Sequence, residues 1–348
     1  MLAALPRVAI APANDSSETS PFWRQMVESL EPFLEAITDR LAEQVDQFEP
    51  ELALSARHAL TAAGKQLRPT LLGLCAEATG GLQPGHVTAA AIIELVHLAT
   101  LVHDDVLDEA QIRRGRRTLA SEVGNEHAVL FGDCLFAHAL EMAASYPTTE
   151  VCRAVASATK TVCTGEILQN EQRLRFDLPL AEYFRVLEMK TAELFALSCD
   201  LGAYLNDAPP TDRAALRQYG LALGTAYQIY DDCLDVFGTE AVAGKSLGTD
   251  LAHGKLTLPL LLFRETASPG EQALIQQLLR DWEPDAFTTV LELLRKHGAL
   301  ARSLAVLHGY VRQANHAASR LGGRHLRLRQ LADFLAHQAD ALGHSTVA

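Results

Sequence analysis

Apolar residues recur along nearly the whole chain at spacings of three and four, the period of a helix with one buried face. Leu30, Phe33, Leu34, Ile37, Leu41 and Val45 set the pattern, which runs from Phe22 onward. It continues in segments at about 51–63, 67–79, 86–108, 126–145, 149–172, 180–205, 211–237, 254–266, 269–282, 285–296, 299–320 and 327–342. Gly80-Gly81, Pro84-Gly85, Tyr146-Pro147, Pro209-Pro210 and Pro269-Gly270 separate many of them. No stretch shows the alternation of a strand. The pattern predicts an all-α fold, a single-domain multi-helix bundle over residues 22–348. Residues 1–21, interrupted by Pro6 and Pro12, read as a flexible leader. Glu240 to Gly248 reads as a mobile loop.

With 348 residues and 48% hydrophobic content, the chain can bury a large core. A net charge of −13 and a longest basic run of only Arg113–Arg117 argue against nucleic acid as a partner. The six cysteines lack CxxC spacing and read as buried thiols of a reducing, cytoplasmic compartment. No apolar run reaches the ~18 residues of a transmembrane helix, so any membrane contact would be transient, at product release.

One short pattern occurs twice. Asp104-Asp105-Val106-Leu107-Asp108 and Asp231-Asp232-Cys233-Leu234-Asp235 are both DDxxD, each at the C-terminal end of an apolar helical run. Residues four apart share a helix face, so Asp104 stacks with Asp108 and Asp231 with Asp235. Negative charge at a helix C-terminus opposes the helix dipole, and adjacent carboxylates repel. A divalent cation resolves both problems. Mg²⁺ is held by one or two carboxylates with phosphate oxygens and waters. The alternative, a solvated acidic helix end, accounts for one such cluster better than for two.

Basic residues indicate what the metal would hold. Lys65 and Arg68 sit near a helix start, where backbone N–H groups also favour an anion. Arg113 and Arg114 follow the first motif; Lys190, Lys245 and Lys255 lie in short Gly- and Thr-containing segments. Singly each is an ordinary surface cation. As a set around two metal sites they suggest two diphosphate pockets.

In order along residues 60–260 run GKQLRP, ELVHLATLVHDDVLDEAQIRRG, FGDCL, GEILQ, KTAELF, GLALGTAYQIYDDCLD and GKSLGTDLAHGKLTLP. This series resembles the trans-isoprenyl diphosphate synthase family, with no departure at any motif position. The resemblance implies a helical isoprenoid synthase fold around a central cavity and a prenyltransferase working as a homodimer. Asp104, Asp108 and Asp231 would coordinate a cluster of about three Mg²⁺ ions, with Asp105, Asp232 and Asp235 as ligands or supporting carboxylates. Arg113, Lys190 and Lys255 would hold the allylic diphosphate, with Lys245 closing over it. Lys65, Arg68, His97 and Arg114 would hold isopentenyl diphosphate. Thr191 and Gln228 would turn oxygens toward the developing carbocation. His97, two turns before Asp104, has the alternative reading of a core histidine.

Two other functions share this helical fold. A non-catalytic subunit of a heteromeric synthase would be expected to lose Asp or Arg side chains, which are intact here. A terpene cyclase has no need of Lys65, Arg68 and Arg114. Product length is read from the helix before Asp104. Thr100 lies one turn back with Ala99 beside it, and Ile93 returns to that face about 16 Å deeper. Short-chain members of the family place a bulky aromatic at the Ala99 or Thr100 position. Both residues are small here, and the wording ELVHLATLVHDDVLD resembles long-chain bacterial synthases. A product beyond fifteen carbons is expected, unless another helix, such as that holding Phe136, supplies the floor.

Overall fold

The computed structural model describes residues 21–60, 66–113, 115–243 and 246–344. Residues 1–20 of the expected leader lie outside the described residues, while Pro21 already opens a helix. The first half of the chain forms α1 (Pro21–Val27), α2 (Glu31–Val45), α3 (Ala53–Leu60), α4 (Leu67–Thr79) and α5 (Pro84–Leu107). A hairpin of β1 (Ile112–Arg113) and β2 (Arg116–Arg117) follows, paired antiparallel with Ile112 opposite Arg117. Two-residue strands are too short to show alternation in sequence. Next come α6 (Leu119–Val123), α7 (Asn125–Ala144), α8 (Thr149–Glu171) and α9 (Leu180–Leu187). A π-helical turn, Glu188–Ala192, joins α9 to α10 (Glu193–Tyr204), so the expected helix over 180–205 is interrupted. α11 (Pro210–Phe237), α12 (Glu240–Ala243), α13 (Thr249–Ala252) and α14 (Leu258–Thr266) follow. The chain ends in α15 (Pro269–Arg280), α16 (Ala286–Lys296), α17 (Ala299–Ser319) and α18 (Leu326–His344).

Two hydrophobic cores meet along α4 and α10. Phe195, Cys199 and Ala203 of α10 face a core with Leu216, Tyr219 and Ile229 of α11 and Leu307 and Val311 of α17. Leu194, Leu197 and Leu201 of the same helix face the other core, with Ile92 and Leu95 of α5 and Phe131 and Leu135 of α7. Each set follows three- and four-residue spacing, so α10 is apolar on two faces and buried between them. α4 divides likewise, with Leu71 and Leu74 to the first core and Leu72 to the second. The start of α5 is pinned to α10 by His86, whose ring accepts from the Gln83 N–H at 2.8 Å and meets the Gly202 carbonyl at 3.1 Å.

Among the described residues, α5 alone has the length and apolarity of a membrane span, although Glu94, His97 and the aspartates at its end interrupt its apolar residues. Its most apolar window is 67% buried inside the fold, which is the environment of a core helix.

Three local readings are corrected by the fold. The helix expected from 254 begins at Leu258, leaving Gly254–Thr257 as a non-helical lead-in. The short helix α12 occupies Glu240–Ala243 at the start of the expected 240–248 loop, of which 244–245 lie outside the described residues, and α13 begins directly after it at Thr249. Cys134 is exposed rather than buried, whereas Cys75, Cys199 and Cys233 are buried as expected; all six thiols are unpaired.

Candidate active site

The two aspartate motifs sit at the ends of α5 and α11, and the chain between Gly248 and Lys255 ties them together. Asp108 takes a cation on each carboxylate oxygen: Lys255 Nζ at 2.9 Å on one and Arg173 Nη2 at 3.1 Å on the other. Lys255 also lies 3.6 Å from the Asp250 carboxylate. The Asp250 backbone N–H donates to Asp235 at 3.1 Å, and the Thr249 hydroxyl donates to the other Asp235 oxygen at 2.7 Å. A continuous path, Asp108–Lys255–Asp250–Asp235, thus joins the first motif to the second. Burial is the strongest single influence and would raise the Asp108 pKa, but the charge and hydrogen bond of Lys255, joined by the charges of His253 and Lys190, together hold the carboxyl below its ordinary value.

Asp104 and Asp108 remain partly accessible, with 18% and 22% of their side chains exposed. Asp231 is half-buried. The other three motif carboxylates are buried and engaged by protein donors. Asp105 is paired with Arg113 at 2.7 Å. Burial, more than the charges of Asp104 and Asp108, raises its pKa despite that pair. Asp232 accepts from the Tyr183 hydroxyl at 2.6 Å and the Gln228 amide at 2.9 Å. Burial, followed by the Asp250 charge, pushes Asp232 up to about 8. Asp235 is fully buried and anchors the turn into α13, its carbonyl accepting from Gly248 N–H at 2.7 Å.

Lys190 and Thr191 project from the π turn. That turn widens the helix and is wedged between two glycines. A Cβ on Gly165 of α8 would fall 2.7 Å from the Lys190 amide nitrogen, and one on Gly224 of α11 would fall 2.6 Å from Ala192 Cα. Lys190 Nζ meets Glu166 at 2.5 Å, Gln169 at 2.9 Å and Asp104 at 3.9 Å. Burial would lower the pKa of this ammonium, yet the Asp104 and Glu166 charges outweigh burial and raise it, so Lys190 stays charged. The Thr191 hydroxyl donates to the Gln228 side-chain oxygen at 2.8 Å, extending a chain Thr191–Gln228–Asp232–Tyr183. The Gln228 oxygen expected to face a cation is therefore already hydrogen-bonded, while the Thr191 oxygen keeps its lone pairs.

Of the residues expected to hold isopentenyl diphosphate, the structure places Arg68 over the Phe195 ring at 5.1 Å and leaves His97 half-buried on α5. Lys65, Arg114 and Lys245 lie outside the described residues. Ala99 is fully buried in the second core, whereas Thr100 is half-buried and donates to the His97 carbonyl at 2.7 Å. Sequence reasoning missed Arg173, Glu166, Gln169, His253 and Asp250. His253 hydrogen-bonds the Asp108 carbonyl at 3.0 Å. Glu166 and Gln169 recur at i and i+3 on α8, a polar face that was legible in the sequence, whereas Arg173 lies beyond the helix end.

Among the described residues, no three His, Cys, Asp or Glu side chains converge as a ready metal cage. The donors at hand are carboxylate oxygens in ones and twos, flanked by cations. That set suits Mg²⁺, which completes its shell with phosphate oxygens and waters, and not a metal bound by protein alone.

Comparison with known proteins agrees with this geometry. A family model described as polyprenyl synthetase matches residues 49–295. The chain is 33% identical over 319 residues to a short chain isoprenyl diphosphate synthase of Methanothermobacter thermautotrophicus, covering 89% of this chain and 98% of the relative. Among solved structures it resembles a decaprenyl diphosphate synthase of Rhodobacter capsulatus with a TM-score of 0.85, at 32% identity, over 92% of this chain and 99% of that one. It also resembles a polyprenyl synthase of Caulobacter crescentus solved with calcium and isoprenyl diphosphate, with a TM-score of 0.83, at 32% identity, over 94% and 99% of the two chains. With the match running through both aspartate motifs and nearly the full length of these relatives, the chain belongs to the polyprenyl synthetase family, a family of prenyltransferases.

Proposed function

We propose that the chain condenses an allylic diphosphate with isopentenyl diphosphate, head to tail and dependent on Mg²⁺, to give a trans-polyprenyl diphosphate longer than fifteen carbons. The path Asp108–Lys255–Asp250–Asp235 carries the reading: it brings the ends of α5 and α11 together with a half-buried cation between them. Asp104, Asp108 and Asp231 would hold Mg²⁺, about three ions per site by resemblance. When bound, Mg²⁺ neutralises charge on the departing diphosphate. Calcium with isoprenyl diphosphate in the Caulobacter crescentus structure supports a divalent ion beside this ligand class.

Lys190, held charged by Glu166 and Asp104, binds the allylic diphosphate together with Lys255, Arg113 and Lys245. A preset ammonium stabilises negative charge as the allylic C–O bond breaks, without reorganisation at that moment. Lys65, Arg68, His97 and Arg114 hold isopentenyl diphosphate, whose double bond attacks the allylic carbon. Thr191, fixed by Gln228, turns its remaining lone pairs toward the cation. The freed diphosphate takes the proton that leaves. The apolar faces of α5 and α11 keep water from quenching the cation.

Thr100, partly open where Ala99 is closed off, is the residue that gates elongation. The likeness to a decaprenyl synthase supports a long product, and the short-chain relative makes product sizing the deciding measurement. We also propose a homodimer, supported by Ile112, Val123, Val129 and Leu130 exposed on β1, α6 and α7. Six unpaired thiols support a cytoplasmic site of action. Light scattering of the purified chain tests the dimer; a monomeric mass refutes it.

The experiment for the function is incubation with labelled isopentenyl diphosphate and separate allylic starters, followed by sizing of the products. Turnover requires both substrates, stops with chelator and returns with Mg²⁺. Turnover of an allylic diphosphate alone would assign a cyclase. No condensation by the pure chain, restored by a second protein, would assign a subunit of a heteromeric synthase.

A further inference from the structure

Arg173 belongs to none of the sequence motifs, yet it occupies one oxygen of Asp108 while Lys255 occupies the other. It stands just beyond α8 on a turn that docks against the segment carrying Lys255. Leu174 adopts a left-handed φ of 55° there, and its N–H donates to the Gly254 carbonyl at 2.8 Å. Gly254 is itself left-handed, and a Cβ on it would meet the Leu174 side chain at 2.8 Å. A non-glycine residue in this conformation is strained, so a built contact holds it. The guanidinium spends only part of its donor set: Arg173 Nε is buried and has no hydrogen-bond partner among the described residues. A buried, unpaired donor next to a carboxylate is costly unless a further acceptor arrives.

Resting on the proposed prenyl transfer, we infer that Arg173 is an additional diphosphate-binding residue, parked on Asp108 until substrate arrives. Mg²⁺ takes carboxylate and phosphate oxygens together, so a diphosphate held at Asp108 comes to the guanidinium already on that carboxylate. The freed fork then finds phosphate oxygens, for which its geometry is suited. The same exchange couples two loops, because the Arg173–Leu174 turn and the His253–Lys255 segment grip Asp108 together.

The test is calorimetric titration of the intact enzyme with inorganic pyrophosphate and Mg²⁺, for wild type, Arg173→Gln and Arg173→Lys, with thermal melts alongside. Arg173→Gln weakens pyrophosphate binding roughly tenfold to a hundredfold, the loss of one or two charged hydrogen bonds. It raises KM for the allylic substrate but not for isopentenyl diphosphate. Arg173→Lys recovers part of the affinity. Unchanged affinity with a lowered melting temperature makes Arg173 a structural partner of Asp108 and overturns the inference. Tighter binding by Arg173→Gln overturns it as well, since Arg173 would then only compete for the carboxylate. Both results leave wild-type condensation intact, whereas failure of the function itself shows as wild-type protein that neither binds pyrophosphate nor condenses.

Discussion

Replacing Gly165 by Ala tests whether the π turn is held open by the absence of one side chain. The new Cβ would lie 2.7 Å from the Lys190 amide nitrogen, 2.9 Å from Met189 Cβ and 3.1 Å from Lys190 Cα. Ordinary contact begins near 3.4 Å, and two of these three atoms are backbone, so no flexible side-chain tip can yield. Gly224 of α11 packs just as closely against the turn, where a Cβ on it would fall 2.6 Å from Ala192 Cα, so the turn has no free space there to slide into. Overpacking of this kind costs about 1–3 kcal/mol. The helix-propensity gain of Gly→Ala returns about 0.5–1 kcal/mol. The net expectation is destabilisation of about 1–2 kcal/mol and a melting temperature lowered by a few degrees. Activity falls further than stability, because Lys190 and Thr191 ride on the displaced turn; a misplacement approaching 1 Å costs up to about a hundredfold in rate. The assay is a thermal melt paired with single-turnover condensation, with Gly270→Ala as the reference. Gly270 lies in the first turn of α15 with nothing within 4 Å of its added Cβ, so that variant melts at or slightly above wild type. If Gly165→Ala also melts higher and turns over normally, the clamp does not exist.

Asp104→Ala and Asp231→Ala each lower kcat by about a hundredfold or more while leaving the apo protein about as stable as wild type, since each relieves repulsion of the neighbouring carboxylate, which for Asp104 offsets the lost attraction to Lys190; a fall in melting temperature matching the loss of activity would assign them a structural role. Thr100→Phe shortens the product and spares the first condensation, checked by chromatography of the chain lengths, whereas Ala99→Phe mainly destabilises because Ala99 is fully buried. Glu271 is held well below the usual carboxylate range, chiefly by the Lys296 hydrogen bond and then by Ser268. A depressed folded pKa contributes stability that is present above the unfolded value, about 4.5, and is lost as pH falls below it. Glu271→Gln therefore lowers the melting temperature at neutral pH and flattens its fall in acid, and parallel melting curves for the two proteins below pH 4.5 would contradict this.

The helices and both aspartate motifs were legible in the sequence because each follows a local rule. Buried helix faces repeat every three or four residues, and DDxxD stacks carboxylates within one turn. Lys190 and Lys255 were legible as members of short motifs. The resemblance set Asp104, Asp108 and Asp231 apart from Asp105, Asp232 and Asp235, but what buries and holds the second three was not legible, because it depends on donors contributed largely by other segments: Arg113, Tyr183, Thr249 and the Asp250 backbone. The break of the 180–205 helix into a π turn was equally hidden. The turn packs against Gly165 and Gly224 of neighbouring helices, where added Cβ atoms would collide with it, a long-range fit that the local residues Glu188–Ala192 do not encode. Arg173 reads in sequence as one more charge after a helix. Only the packing of its turn against Gly254 sets it on Asp108, 65 residues away along the chain. Periodicity and motif spacing are local and survive in a linear string; which carboxylate meets which cation is settled by long-range contacts between helix ends, and those exist only once the two cores have packed.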